Sequence, residues 1–283
     1  MRVTFYGVRG SVPTPGPSTV RYGGNSVCVA VRLADGTLLV LDAGTGIREL
    51  GREIVRADAR ATVHLFITHP HWDHVIGLPF FAPLYRKDTH FVFHPFNEVA
   101  RDRSKNPIVF DGEHFPVRFV DLPARIEHDE PVDGEFRVGS ARVRHIALNH
   151  PGGAMGFRID DDGGSSLCYL TDNELSPPGE VTTTPVELAR FAQGTDLLIH
   201  DAQYLPDDMP AKRGWGHSVV GEVLDLAKEA GARRVALHHH DPERDDDALD
   251  RIGGEAQSWA RAEAPALETI VAREGMTIDL ARR

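Results

Sequence analysis

The stretch Thr68-His69-Pro70-His71-Trp72-Asp73-His74 carries the densest chemical pattern in this sequence of 283 residues. It follows an apolar run that begins at Val63 and has the composition of a buried β-strand. Imidazole nitrogens and carboxylate oxygens are the ligands that borderline divalent metals prefer. A turn at a strand end can point such closely spaced side chains at two adjacent ions. The stretch therefore predicts a metal site, and a polar surface turn is the alternative.

The bulk composition favours one globular domain with a small substrate. Hydrophobic residues make up 41% of the chain and charged residues 26%, and we predict a single domain over residues 1–283. The formal net charge of −11 disfavours binding to long nucleic acid or to an anionic membrane. A small anionic substrate remains compatible with this charge, because a bound metal dominates the local field.

The cysteines and the N-terminus predict the compartment. Cys28 and Cys168 lie in apolar, strand-like runs, so we expect buried, reduced thiols. The first residues, MRVTFYGVRG, lack the apolar segment of a signal peptide. No run approaches the roughly 20 apolar residues that span a bilayer. We therefore expect a soluble, cytoplasmic protein that does not bind membranes.

Apolar, β-branched runs separated by turn residues predict many strands. One helix is predicted to begin with Ser218 as its N-cap and to end at Gly231, and another covers residues 245–262. Residues 97–116 form the longest irregular stretch, either a lid or a surface excursion. This mixture favours an α/β fold of two packed sheets covered by helices, a four-layer αββα sandwich. The predicted strands are residues 3–6, 27–33, 38–41, 63–68, 91–93, 117–122, 143–148, 155–159, 167–171, 197–199 and 235–237.

Polar residues follow several of the predicted strands, and their order along the chain resembles that of the metallo-β-lactamase superfamily over nearly the whole length. The matching motifs are LLVLDAGTG at 38–46, THPHWDH at 68–74, LNHPGG at 148–153, YLTD at 169–172 and VALHHHDP at 235–242. The resemblance implies the αββα fold and two divalent metal ions, with Zn²⁺ as the first choice and Mn²⁺ as the alternative.

The same resemblance implies a role for each motif residue. Aligning the last motif with the family pattern selects His239 over His238 and His240. Asp42 is implied to orient a ligand histidine, and Asp73 is also counted as catalytic. The implied ligands are His69, His71 and His150 for one metal and Asp73, His74 and His239 for the other, with Asp172 bridging both.

Two further segments, LIHDAQY at 198–204 and GWGHS at 214–218, resemble the phosphodiesterase branch that includes tRNase Z. In that branch a histidine and an acidic residue form a proton-transfer pair, and His217 and Asp201 occupy those positions. Some relatives carry glutamate where this chain has the shorter Asp201. A histidine oriented by a carboxylate suits a general acid near neutral pH, and two metals can hold a bridging hydroxide for attack on a phosphodiester. Capping or packing of the helix start is the alternative role for His217.

The N-terminal segments FYGVRGSVPTPGP at 5–17 and RYGGNS at 21–26 resemble a bacterial subgroup of small phosphodiesterase-like hydrolases. This resemblance implies a small anionic phosphodiester as substrate, a 3′,5′-cyclic nucleotide first, and a homodimer. Arg9 and Arg21 are candidates either for phosphate or base contacts or for structural salt bridges.

Several other functions stay open at this point. The interval from His150 to Asp172 is only 22 residues. This is too short for two strands and the tRNA-gripping arm of the common bacterial tRNase Z, so we expect no tRNA processing. The alternatives are hydrolysis of another cyclic phosphate such as a ribose cyclic phosphate, hydrolysis of a thioester or lactone, and a non-catalytic binding or carrier role on the same fold.

Overall fold

The computed structural model describes residues 1–57, 60–94, 110, 112, 115–129 and 134–280. In these residues the strands are β1 (Arg2–Gly7), β2 (Cys28–Arg32), β3 (Leu38–Leu41), β4 (Thr62–Phe66), β5 (His90–His94), β6 (Arg125–His128), β7 (Glu135–Val138), β8 (Ala141–Leu148), β9 (Ala154–Asp161), β10 (Ser166–Leu170), β11 (Leu197–Asp201), β12 (Arg234–His238), β13 (Glu268–Val271) and β14 (Thr277–Asp279). The α-helices are α1 (Ile47–Arg56), α2 (Trp72–Val75), α3 (Pro185–Phe191), α4 (Val220–Glu229) and α5 (Asp246–Glu263).

The strands form two seven-stranded mixed sheets. The first has the order β14-β1-β2-β3-β4-β5-β6, and the second has the order β13-β12-β11-β10-β9-β8-β7. Strands β3 to β6 are parallel, and so are β10 to β13. Because parallel strands end at the same edge of a sheet, residues that follow β3 and β4, or β10, β11 and β12, are brought together there.

Three buried apolar clusters define four layers. The central one joins the inner faces of the two sheets, with Phe66 on one side and Phe157 and Tyr169 on the other. A second packs the outer face of the first sheet against α1. The third packs the outer face of the second sheet against α3, α4 and α5. The predicted αββα sandwich is confirmed.

Most predicted strands are confirmed, with ends that differ by at most two residues. The strand predicted over residues 117–122 is wrong, because a short 3₁₀ helix occupies Phe119–Asp121. Four strands were not predicted, namely β6, β7, β13 and β14. They are short and form the four edges of the two sheets, and most of their side chains are at least partly exposed, so their sequences lack a long apolar run.

The helix predicted to have Ser218 as its N-cap begins one residue later. Val219 is the N-cap of α4, and the Ser218 hydroxyl donates instead to the carbonyl of Asn173 at 2.5 Å. The second helix is confirmed as α5, with the carboxylate of Asp245 accepting from the amide of Ala248. Of the candidate lid at 97–116, all but residues 110, 112, 115 and 116 lie outside the described residues.

Two further expectations concern the thiols and the membrane. Cys28 and Cys168 are free and buried, which confirms their assignment to the core. Within the described residues, no helix has both the length and the apolar character that crossing a membrane requires.

Candidate metal centre

The polar residues of the sequence motifs meet at one edge of the sandwich. From the first sheet, Asp42 follows β3, and the segment from His69 to His74 follows β4 and enters α2. From the second sheet, the contributing residues follow or end β8, β10, β11 and β12; they are His150, Asp172, Asp201 and His239. The site is therefore built jointly by both sheets.

Two clusters of ligand-type atoms share one carboxylate. In each cluster one donor atom per residue lies within 4.8 Å of all the others; the clusters are His69, His71, His150 and Asp172, and Asp73, His74, Asp172 and His239. Asp172 Oδ2 lies 3.5 Å from His69 Nε2, and its Oδ1 lies 3.2 Å from His74 Nε2 and 3.0 Å from His239 Nε2. The structure thus groups these seven residues in the same two sets as the family resemblance.

The hydrogen bonding of the clusters fits two divalent ions. His69 Nε2 and His74 Nε2 are buried and have no hydrogen-bond partner among the described residues. Buried polar atoms in native proteins are almost always satisfied. Nitrogen lone pairs that converge on two carboxylates, Asp73 and Asp172, are the donor set of a metal of the zinc type. The residues present therefore fit a binuclear metal site.

The electrostatics lead to the same conclusion. Burial alone would raise the pKa of Asp172, yet the imidazoles of His239 and His74 hold that pKa well below its ordinary value. Burial, reinforced by His74, lowers the pKa of His69 well below its ordinary value, so this imidazole is neutral and able to ligate. Burial is also the main reason that the pKa of His150 is lowered. The Asp172 carboxylate in turn outweighs burial and raises the pKa of His74 and of His239, so its negative charge is compensated either by these protonated imidazoles or by a bound cation that takes the place of their protons.

Four of the ligand-type histidines have their outer nitrogen fixed by a partner. Such contacts set the tautomer and leave the other nitrogen free to bind a metal. The pairs are His74 Nδ1 with Asp42 Oδ2 at 3.0 Å, His69 Nδ1 with Thr68 Oγ1 at 3.1 Å, His150 Nδ1 with the Gly216 carbonyl at 3.0 Å, and His239 Nδ1 with Gln203 Oε1 at 2.8 Å. Thr68, Gln203 and the Gly216 carbonyl were missed by the sequence reasoning. Gln203 carried a weak signal, since it lies two residues after Asp201.

The backbone is strained at the same place. In the described residues, non-glycine positions with positive φ are Ser11, Asp42, Asp172 and His239, with φ between 57° and 61°. The Ser11 amide donates to Asp73 Oδ2 at 2.8 Å, so all four belong to the site. Left-handed backbone costs energy for residues other than glycine and persists where the surrounding structure enforces it. At Asp42, Asp172 and His239, each of which lies one or two residues past a strand end, the left-handed backbone turns the side chain into the site.

His217 and Asp201 lie beside the clusters and contact one another. Both are buried, and His217 Nδ1 lies 2.7 Å from Asp201 Oδ2. The ring centroid of His217 is 4.9 Å from that of His239 and 5.4 Å from that of His150. The shorter aspartate therefore reaches its histidine, and the pair forms a third group of ligand-type atoms with Asp172 and His239, all within 4.8 Å of one another.

The remaining candidates are structural. Arg9 is fully buried and donates through Nε and Nη1 to the carbonyls of Gly23, Asp241 and Arg244, which favours its structural role; its Nη2 has no hydrogen-bond partner among the described residues. Arg21 pairs with carboxylates of α5, which makes it a structural ion pair. His238 and His240 point their Nε2 atoms at the carbonyls of Gly7 and Ala272.

Two buried histidine and carboxylate clusters at the edge of an αββα sandwich define a metal-dependent hydrolase of the metallo-β-lactamase fold. The family model described as "Beta-lactamase superfamily domain" matches residues 37–240, and the chain belongs to that superfamily.

Known proteins similar to this chain agree with that assignment. It is 27% identical to ribonuclease Z of Haloarcula marismortui in an alignment of 285 positions, gaps included, that covers 84% of this chain and 86% of the relative. Zn²⁺-bound PqqB from Methylobacterium extorquens has a similar structure, with a TM-score of 0.69, 17% identity and coverage of 99% and 100%. A diphosphatase of the PhnP family superposes with a TM-score of 0.66, 17% identity and coverage of 100% and 99%. These structural likenesses establish the fold.

Proposed function

We propose that this protein is a binuclear phosphodiesterase that hydrolyses a small phosphodiester. The leading candidate for its substrate is a 3′,5′-cyclic nucleotide. The observation that carries the proposal is the 2.7 Å contact between His217 and Asp201 beside the two ligand clusters. A phosphodiester releases an alkoxide, which needs a proton that activated esters and thioesters do not need. A buried histidine paired with a carboxylate supplies that proton.

Seven side chains would hold the two metal ions. We propose that both are Zn²⁺, with Mn²⁺ as the alternative metal. His69, His71 and His150 would hold one ion, Asp73, His74 and His239 the other, and Asp172 both. When bound, two such ions supply a nucleophile derived from water and neutralise charge on the phosphoryl oxygens.

The chain's own groups account for the proton transfer. Asp201 accepts the Nδ1–H of His217, which leaves Nε2 to carry the proton that is transferred. When the bond between phosphorus and one ribose oxygen breaks, His217 Nε2 protonates the departing alkoxide. Asp201 holds the ring in this tautomer and stabilises its protonated form.

Relatives and local topology support a small substrate. The names ribonuclease Z and diphosphatase describe phosphoryl chemistry in two of the similar proteins. Between His150 and Asp172 the structure has only β9 and β10, joined by residues 162–165, so this interval contains no arm for gripping tRNA. The net charge of −11 also disfavours a long polyanion.

Two exposed tryptophans support a nucleotide over a ribose cyclic phosphate without a base. Trp72 is 70% exposed and lies between His71 and Asp73 in the chain, and Trp215 is 61% exposed and lies two residues before His217. An aromatic side chain beside the site can stack on a nucleobase, which a ribose cyclic phosphate without a base does not offer.

A substrate panel tests the proposal with metal-loaded protein. We expect turnover of a 3′,5′-cyclic nucleotide and of bis(p-nitrophenyl) phosphate, and little turnover of a thioester or a lactone. Precursor tRNA is the competing substrate, because the relatives are named ribonuclease Z. Salt-sensitive cleavage at a tRNA 3′ end without cyclic nucleotide turnover would overturn the proposal. We also propose a homodimer, which sedimentation equilibrium would check.

A further inference from the structure

Glu174 is a buried carboxylate with an unusual set of partners. It lies two residues after Asp172 and is only 2% exposed. Its Oε1 accepts from the amide of Gly214 at 2.9 Å, and its Oε2 accepts from the amide of Gly216 at 3.0 Å. No ion pair of Glu174 occurs in the described part of the chain. A buried charge held by two backbone amides is costly to retain, which indicates that it fixes the loop at 214–216 in one position.

That loop contacts one ligand-type histidine directly. The carbonyl of Gly216 accepts from His150 Nδ1 at 3.0 Å. Gly216 has a φ of 89°, and a Cβ at this position would overlap the His150 ring. The backbone of the loop therefore sets both the tautomer and the position of His150.

The same loop leads directly into the proposed general acid. His217 follows Gly216 and makes its 2.7 Å contact with Asp201. The position of Gly216 therefore helps to set where the backbone of His217 lies relative to Asp201. One carboxylate thus controls the backbone next to a metal-ligand histidine and next to the proton donor.

The backbone of Glu174 is anchored on the other side of His150. Its amide donates to the carbonyl of Asn149 at 2.9 Å, and the Asn149 side-chain amide donates to the carbonyl of Glu174 at 3.1 Å. Asn149 immediately precedes His150. Glu174 therefore connects the residue before His150 with the residue before His217.

We propose that Glu174 is a positioning residue that couples the ligand geometry of His150 to the placement of His217. The half that concerns His217 rests on the proposed phosphodiesterase function, whereas the half that concerns His150 does not. Glu174 acts through the loop at 214–216 and touches neither the metals nor the substrate.

The test substitutes Glu174→Gln in the full chain, because glutamine keeps the shape but places an amide donor against one of the two backbone amides. We expect one of the two metal ions to bind roughly 10–100-fold more weakly, the usual effect of losing such an outer contact. In protein loaded with Co²⁺, the visible absorption of that ion should change. The loss in kcat should be larger for a cyclic nucleotide than for bis(p-nitrophenyl) phosphate.

The matched control is Glu187→Gln. Glu187 also accepts from a backbone amide, that of Thr184 at 2.8 Å, but it lies at the exposed start of α3. We expect this variant to match the unsubstituted protein in metal titration, spectrum and kinetics. Glu174→Asp, which keeps the charge but shortens the reach, should recover part of the metal affinity and supplies the same measurements if the glutamine variant does not fold.

Separate results bear on separate claims. Superimposable Co²⁺ titrations and spectra for the Glu174 variants and the unsubstituted protein would overturn the role of Glu174. Equal weakening of both ions together with a lowered melting temperature would also overturn it, because a general structural role predicts that pattern. If no phosphodiester is turned over by the unsubstituted protein, the proposed function fails, and the metal titration still decides whether Glu174 positions His150.

Discussion

Replacing His217 with alanine is the sharpest test of the proposed chemistry. His217 is not among the seven residues assigned to the two metals, although it lies in a third group with Asp172, Asp201 and His239. On that assignment His217→Ala should leave two metals bound. The substitution removes the donor to the leaving alkoxide and leaves Asp201 Oδ2 without the partner that it has at 2.7 Å.

The expected magnitude follows from that role. One positioned general acid contributes roughly 10²–10⁴ in rate, so kcat for a cyclic nucleotide should fall by this factor. At about 1.4 kcal/mol per factor of ten, the lost transition-state stabilisation is about 3–5 kcal/mol. Asp201→Asn should produce a smaller loss, because a neutral acceptor still orients the ring but stabilises its protonated form less.

The assay compares two leaving groups at equal metal content. The p-nitrophenolate of bis(p-nitrophenyl) phosphate departs without a proton, so His217→Ala should reduce its turnover much less than that of a cyclic nucleotide. His90→Ala is the control, since His90 also pairs with a carboxylate, Glu127 at 2.9 Å, but on β5 of the first sheet. Equal losses on both substrates would refute the assignment of His217 as the acid. Loss of a metal ion from the His217→Ala variant would instead identify His217 as a metal ligand.

Three further substitutions test the frame around the site. Asp172→Ala should lower the occupancy of both metals in elemental analysis, because both clusters share this carboxylate; two retained ions would contradict the bridge. Gly216→Ala should weaken metal binding in a titration, because the added Cβ would overlap His150 and because alanine is strained in the left-handed backbone at this position. An unchanged metal affinity would contradict the role of Gly216 in positioning His150. Arg9→Ala should lower the free energy of unfolding by about 3–5 kcal/mol in urea, since three carbonyls lose a charged donor; a change below about 1 kcal/mol would disprove this.

The sequence was informative wherever the controlling interactions are local. The segment from His69 to His74 follows an apolar strand within a few residues, so its spacing alone predicted a metal site. Helix α5 was placed within one residue, because an aspartate cap and an apolar periodicity are both short-range signals. The helix start at Ser218 was misplaced because its hydroxyl is engaged by Asn173, which lies 45 residues earlier in the chain.

Interactions between distant segments were decided by the tertiary structure alone. His71 and His150 are 79 residues apart, yet Nδ1 of the first lies 3.1 Å from Nε2 of the second. The two belong to different sheets, so their approach depends on how the sheets pack. Glu174 gave no signal in the sequence, because its partners, Gly214 and Gly216, lie about 40 residues away.

The sequence by itself therefore determined the αββα fold and, through family resemblance, the residue types that surround the metals. Periodicity and motif spacing express short-range preferences of the chain, and these are readable one segment at a time. The tertiary structure decided which nitrogen of each histidine faces the site, because that depends on an outer partner such as Gln203 or the Gly216 carbonyl. Such partners come from other strands and loops, and only the packing of two complete sheets brings them within hydrogen-bonding distance.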